Sequence, residues 1–323
     1  MNQTILVSAV DTARPNRFLA HFRLLRLDHS IKQVFVIPGI VIAASLTGAK
    51  FSYELMWRML LGLLAVTAIA SSNYVLNELL DAPYDRLHPT KCLRPAACRS
   101  IHVSLAYGQW LVLGMVGMLL AHLVSKGVLF SVFSLWIMGC FYNIPPIRMK
   151  DVAYVDVLSE SLNNPIRFCV GWYIVAAAVI PPASMLIAYW MLGAYFMALK
   201  RFSEYRQIGC ASAQQYRRSF EFYTEKSLLN SILFYAATAM LFFGAFIMRY
   251  RMEMVFVFPL IALLMAVYFD LAFEEDSPVQ NPEKLFREPR LLVLLAVCCI
   301  FFVVLSFVNM PWLAQMFPKS AVQ

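Results

Sequence analysis

The amino-acid sequence predicts an all-α, polytopic membrane protein with about nine transmembrane helices. Three observations carry this. Hydrophobic residues fill 61% of the 323 positions and charged residues only 14%, about half the charged share of soluble domains. Apolar runs close to the length that spans a bilayer recur along the chain. The basic residues gather in alternate loops, the bias that marks cytoplasmic loops.

The runs fall at 31–48, 56–80, 103–122, 127–142, 158–179, 184–202, 228–248, 254–273 and 290–309. The first is short and holds Pro38, Gly39 and Gly48, so a kinked or tilted helix is expected. Before it, residues 14–27 mix basic and apolar positions, which suits an interfacial amphipathic helix. The second ends in a polar cluster, and Pro83 is expected to kink or end its helix. Pro145-Pro146 predicts a rigid turn between the fourth and fifth runs. The fifth carries Arg167 within apolar surroundings, and intramembrane charge is a functional signal. The sixth is almost wholly apolar from Tyr189 to Leu199 and ends in Lys200-Arg201. No repeat or low-complexity linker interrupts the chain, so residues 1–323 are expected to form a single transmembrane domain. Residues 1–13 lack a basic stretch followed by an apolar one, so no cleavable signal peptide is expected. The seven cysteines show no metal-ligand spacing, and Cys140, Cys169, Cys298 and Cys299 in apolar runs are expected to be buried thiols.

Charge sets the orientation. The segment up to Lys32 and the loops near 81–102, 143–157, 203–227 and 274–289 hold most of the lysines and arginines. Lys50, Arg58, Lys126, Arg249, Arg251 and Lys319 fall on the other side. The N-terminus is therefore expected in the cytoplasm and the C-terminus outside, in a cell (inner) membrane. No nucleic-acid partner is expected, and a homo-oligomer stays open.

The polar groups collect on the cytoplasmic side. Asn77, Asp81 and Asp85 are four residues apart, which lines them up on one helix face. With Glu78 they form an acidic cluster at the membrane edge, where carboxylates need a partner. A divalent metal carrying a phosphorylated substrate fits, because hard cations share oxygen ligands with phosphates. Lys91 and Arg94 follow closely and can meet phosphate oxygens directly; each can equally be a solvated loop cation. Tyr142, Arg148, Lys150, Glu160 and Arg167 form a second set, with a Glu160–Arg167 packing pair as the plainer reading. Lys200, Arg201 and Glu204 form a third, with an ordinary Lys200–Glu204 helix pair as its alternative. GxGxxG, P-loop and GxSxG motifs are absent, and the histidines are scattered.

These residues resemble the UbiA superfamily of intramembrane prenyltransferases, whose first motif, NDxxDxxxD, reads here Asn77-Glu78-x-x-Asp81-x-x-x-Asp85. HPxKxxRPxA from His88 to Ala96, YNxPPxRxKD from Tyr142 to Asp151, KRxxE from Lys200 to Glu204 and RRSFEFYT from Arg217 to Thr224 resemble the decaprenyl-phosphate phosphoribosyltransferase branch. Glu78 stands where the motif has Asp, Ala97-Cys98-Arg99 replaces a usual glycine, and the segment from Arg26 to Gln33 lacks the family's Pro and Trp. The resemblance implies a UbiA-like bundle with a cytoplasm-facing site. It also implies Mg²⁺ held by Asp81, Asp85 and Asn77, with Asp81 and Asp85 catalytic. Lys200-Arg201-x-x-Glu204 occupies the place of the second aspartate motif of prenyl-transferring members. That implies 5-phosphoribosyl diphosphate (PRPP) as donor and a polyprenyl phosphate as acceptor, bound by Asn77, Glu78, Lys91, Arg94, Tyr142, Arg148, Lys150, Arg167, Lys200, Arg201 and Glu204. A prenyl diphosphate:aromatic acceptor transferase is the alternative enzyme. A transporter or lipid-binding protein is the alternative class, against which stands the concentration of polar clusters on one face.

Overall fold

Glycines at helix crossings, more than any loop, decide how this chain packs. A Cβ on Gly39 would run into the Phe168 carbonyl, and one on Gly171 into the Val36 carbonyl. The first apolar segment and the fifth can therefore touch backbone to backbone only because both positions lack a side chain. A Gly171→Ala variant is expected to lose about 1–3 kcal/mol by overpacking, read as a lower melting temperature in detergent; an unchanged melting curve would show that the crossing relaxes freely.

A computed structural model describes residues 17–86, 91–208, 218–275, 277–280, 285 and 287–316. The expectations on residues 1–16, on His88 and on Arg217 lie outside these. Among the described residues every regular element is helical. The order is α1 (Arg17–Arg23), a 3-10 segment (Leu27–Val36), α2 (Ile37–Thr47), α3 (Tyr53–Asp85), α4 (Val103–Val124), α5 (Lys126–Asn143), α6 (Val155–Val175), α7 (Ala183–Ile208), α8 (Glu225–Tyr250), α9 (Phe258–Leu271), α10 (Pro289–Phe307) and α11 (Pro311–Met316).

Each predicted run corresponds to a helix. By length and hydropathy 7 of them qualify as membrane spans. The other two, α5 and α6, are helices at the expected places, and α6 carries Asp156, Glu160 and Arg167 along its length. The predicted break in the first run is present as the change from 3-10 to α-helix at Ile37, with Pro38 in the first α-turn. The segment at 14–27 is shorter as a helix than expected: α1 covers Arg17–Arg23, with Phe18, Leu19 and Phe22 exposed. It is anchored by His21 and Gln109 of α4, whose side chains meet at 3.3 Å.

The helix ends near Pro83 as expected: α3 runs for 33 residues and stops at Asp85, just past the proline, whose missing N–H leaves the i−4 carbonyl without its helical bond. At 1.5 Å per residue α3 is on the order of 50 Å long, more than the ~30 Å of hydrocarbon it crosses. Its acidic end therefore reaches the membrane edge. The cysteines are less buried than expected: Cys298 is buried, Cys140 and Cys169 are intermediate and Cys299 is exposed. Neighbouring helical positions point about 100° apart, so Cys298 and Cys299 cannot both face inward.

α6 is the centre of the bundle, packed on α2, α3, α5 and α7, while α3 also packs on α4 and α5, α7 on α8, and α10 on α9 and α2. Val66, Ile69, Val132, Leu135, Val170 and Ile174 form the core between α3, α5 and α6. Leu199, Phe202, Phe220 and Leu228 form another below α7 and α8. The outer surface is apolar, with Leu119, Leu233, Leu241, Val293 and Ile300 exposed, as contact with lipid requires.

Candidate active site

The end of α3 presents the acidic face that the i, i+4, i+8 spacing predicts. Each of its three oxygen-bearing residues is bonded to a cation from outside α3, Asn77 and Asp81 sharing Lys150. Asp81 Oδ1 accepts from Lys150 Nζ at 2.5 Å and from Arg148 at 3.0 Å. Asp85 Oδ2 accepts from Arg94 at 2.8 Å. Asn77 Oδ1 accepts from Lys150 Nζ at 3.3 Å. Glu78 points elsewhere: it is 2% exposed and accepts the Ala96 backbone N–H at 3.3 Å. It thus ties the Lys91–Ser100 turn to α3. Lys91 starts this turn, and its side chain lies outside the described residues.

The turn between α5 and α6 delivers the two cations on Asp81. Gly139 lets α5 close on Asn73 of α3, for a Cβ there would overlap the Asn73 side chain. One turn on, Asn143 accepts from Lys150 Nζ at 2.9 Å. Lys150 is 7% exposed, a burial an ammonium tolerates because Asn77, Asp81 and Asn143 all accept from it. Arg148 lies with its guanidinium 5.0 Å from the Tyr84 ring centroid and 3.0 Å from Asp151. Arg148 and Tyr154 hold positive φ values of 26° and 63°, unfavourable for non-glycine residues and typical of functional turns.

Arg201 of α7 reaches across to α6. Its Nε donates to Asp156 at 2.9 Å, one terminal nitrogen to Glu160 at 3.0 Å and the other to Glu204 at 3.1 Å. Asp156 is fully buried and also accepts from Tyr223 at 2.7 Å. Glu160 accepts from Tyr142 at 3.0 Å. The alternative Lys200–Glu204 and Glu160–Arg167 pairs do not close to ion-pair distance among the described residues; Arg201 bonds both carboxylates. Arg167 donates instead to Gln33 at 3.1 Å and to the Asn163 carbonyl at 3.3 Å. Gln33 is buried, and its Nε2 has no partner among the described residues.

Lys200 is within electrostatic range of Glu204, Glu160, Arg201 and Lys32 and closes no ion pair among the described residues. Lys32 is in the same position, within range of Glu160, Arg167 and Arg26, and lies 6.0 Å from the Tyr74 ring centroid. Arg26 lies 5.7 Å from the same centroid. Burial lowers the Arg26 pKa from its ordinary value, and the charge of Arg94 lowers it further. Arg26, Lys32, Tyr74, Asn143, Asp156 and Tyr223 escaped the sequence reading as site residues. Lys32 carried a usable signal, a cation just inside the first apolar run; Tyr74 and Tyr223 carried none.

The site thus has two poles. At one, Asn77, Asp81 and Asp85 offer hard oxygen donors that suit Mg²⁺. No group of three His, Cys, Asp or Glu side chains suited to a metal occurs among the described residues. The protein therefore fits a metal whose remaining ligands come from a substrate and water. At the other pole, Lys32, Lys200, Arg167 and Arg26 surround Glu160 and Asp28 with an excess of positive charge.

The model of the UbiA prenyltransferase family matches residues 35–291. A decaprenyl-phosphate phosphoribosyltransferase of Mycolicibacterium smegmatis is 27% identical over 72% of this chain and 71% of its own length. One of Mycobacterium tuberculosis is 26% identical over 64% of this chain and 66% of its own. A solved UbiA homologue from Archaeoglobus fulgidus, bound to GPP and Mg²⁺, superposes with a TM-score of 0.66 at 20% identity, covering 90% of this chain and 100% of that one. With most of its length inside the family match, a helical fold shared with solved members and an apolar exterior, the chain belongs to the UbiA prenyltransferase family and is a multi-pass membrane enzyme of the prenyltransferase type.

Proposed function

We propose that the protein transfers the 5-phosphoribosyl group of PRPP to a polyprenyl phosphate and releases pyrophosphate, in a single transmembrane domain whose site opens to the cytoplasm. The observation that carries this reading is the second pole, where cations outnumber carboxylates. A prenyl diphosphate has one anionic group and an aromatic acceptor needs none. A donor with both a diphosphate and a 5-phosphate, used with a phosphate acceptor, needs cations in more than one place. The names of the relatives support the same choice.

In this reading Asn77, Asp81 and Asp85 hold the metal on the diphosphate. When bound, Mg²⁺ neutralises charge developing on the leaving pyrophosphate. Lys150, Arg148 and Arg94 stand beside those carboxylates and reach the outer phosphate oxygens. Lys200 and Lys32, neither ion-paired among the described residues, bind the remaining phosphates, with Arg167 set by Gln33 and Asn163. Arg201, bonded to three carboxylates, positions α6 against α7 and leaves Tyr142 and Glu160 fixed at the chamber wall. The lipid phosphate attacks C1 of the ribose as the C1–diphosphate bond breaks, inverting that carbon. Its oxygen is already anionic near neutral pH, so the site needs no general base.

The test is purified protein in detergent with Mg²⁺, polyprenyl phosphate and PRPP labelled in the ribose. Labelled lipid is expected; product from a prenyl diphosphate and an aromatic acceptor instead would overturn the assignment. Lys200→Met is expected to raise KM for PRPP about tenfold with a smaller change in kcat. Removal of the donor's 5-phosphate should then weaken binding to the wild type far more than to the variant. Equal losses in both would place that phosphate away from Lys200.

A further inference from the structure

We propose that Lys150 and Arg148 are internal counter-ions of Asp81, so that the divalent cation enters this site only together with a diphosphate. The proposal rests on the reading of Asn77, Asp81 and Asp85 as metal ligands given above. Its observation is separate: every one of those residues already holds a cation. Lys150 Nζ bridges Asn77 and Asp81, Arg148 takes the same Asp81 oxygen, and Arg94 takes Asp85.

The charges of this cluster cancel. Asp81, Asp85 and Asp151 face Arg94, Arg148 and Lys150. A bare divalent cation adds positive charge to a neutral, half-buried cluster and must push Lys150 off Asp81. Lys150 is buried, and the amide oxygens of Asn77 and Asn143 that it also bonds do not replace the charge of Asp81, so that displacement is costly. A metal–diphosphate unit is net anionic and brings its own acceptors. Lys150 and Arg148 then exchange a carboxylate oxygen for phosphate oxygens while Asp81 passes to the metal, and no buried charge is left alone. The protein also supplies too few oxygens to fill the octahedral shell of Mg²⁺.

The experiment is equilibrium dialysis of Mn²⁺ against the purified full-length protein in detergent, with and without inorganic pyrophosphate. Wild type is expected to retain little Mn²⁺ alone and to bind it at least about tenfold more tightly once pyrophosphate is present. Lys150→Met, and independently Arg148→Gln should the first variant not fold, is expected to retain Mn²⁺ without pyrophosphate and to lose most of that dependence. Wild type binding Mn²⁺ equally well in both conditions overturns the proposal, as do two folded variants with unchanged Mn²⁺ affinity. Retention of Mn²⁺ by Asp81→Ala overturns it as well, by moving the metal elsewhere. The readout involves no sugar donor. A protein that shows the Mn²⁺ pattern but no turnover of PRPP therefore has this coupling and a different donor.

Discussion

Replacing Asp81 by alanine is expected to lower turnover by about three orders of magnitude or more, and Asp85→Ala to do the same, with both proteins still inserted and folded. The size follows from what each carboxylate does in the proposed reaction. Each supplies an oxygen to the group that stabilises the departing pyrophosphate, and losing such stabilisation costs several kcal/mol in the transition state. Some stability is lost as well, because Lys150 and Arg94 each lose a carboxylate, but Lys150 keeps Asn77 and Asn143. Asp81 is about one-fifth exposed at its side chain, and Arg148 keeps Asp151 when Asp81 is gone. Asp81→Asn keeps the size and an acceptor for Lys150, and it too should be nearly inactive. The check is single-turnover transfer of labelled ribose together with a melting curve. Near-normal turnover in any of these variants would show that the metal is held elsewhere.

Arg201→Met is expected to act through stability, lowering it by about 3–5 kcal/mol, the usual cost of stripping a buried charge of its partner. Arg201 is 2% exposed, and three carboxylates converge on it. Without it Asp156, wholly buried, keeps only hydrogen bonds such as that from Tyr223, and Glu160 loses its cation while Tyr142 remains. α6 and α7 then separate at the chamber wall, so activity falls with stability. Arg201→Lys should recover only part of either, since one ammonium cannot reach three carboxylates with the geometry of a planar guanidinium. Thermal unfolding in detergent decides this: an unchanged midpoint for Arg201→Met would show that the three carboxylates need no common cation. Lys200, next in sequence, is expected to behave in the opposite way, altering donor affinity with little effect on melting, because it closes no ion pair among the described residues.

The contrast between Lys200 and Arg201 shows how much was legible in the sequence. Both were recognised as cations at the end of an apolar helix, and nothing in Lys-Arg-x-x-Glu distinguishes a binding group from a strut. The distinction lies on α6, whose Asp156 and Glu160 come within ion-pair distance of Arg201 but, among the described residues, not of Lys200. Glu78 is a similar case. It belongs to the same motif as Asn77 and Asp81, yet the one-residue offset turns it about 100° around the helix, toward the Ala96 backbone. Arg26, Lys32 and Tyr74 were missed as site residues because their roles exist only where the first segment meets α3 and α6.

Composition, apolar run length and charge bias by themselves determined a helical membrane protein with its polar chemistry on one side, because bilayer thickness and the cost of burying charge act on each segment separately. Local spacing likewise determined that Asn77, Asp81 and Asp85 share a face, since a helix repeats every 3.6 residues whatever surrounds it. Only the tertiary structure decided which cation meets which carboxylate. Those pairings depend on the rotation and approach of helices, set here by glycines at 39, 139 and 171 that meet neighbouring helices where a side chain would collide. Close packing across helices is a property of two surfaces at once, and no single stretch of sequence contains both.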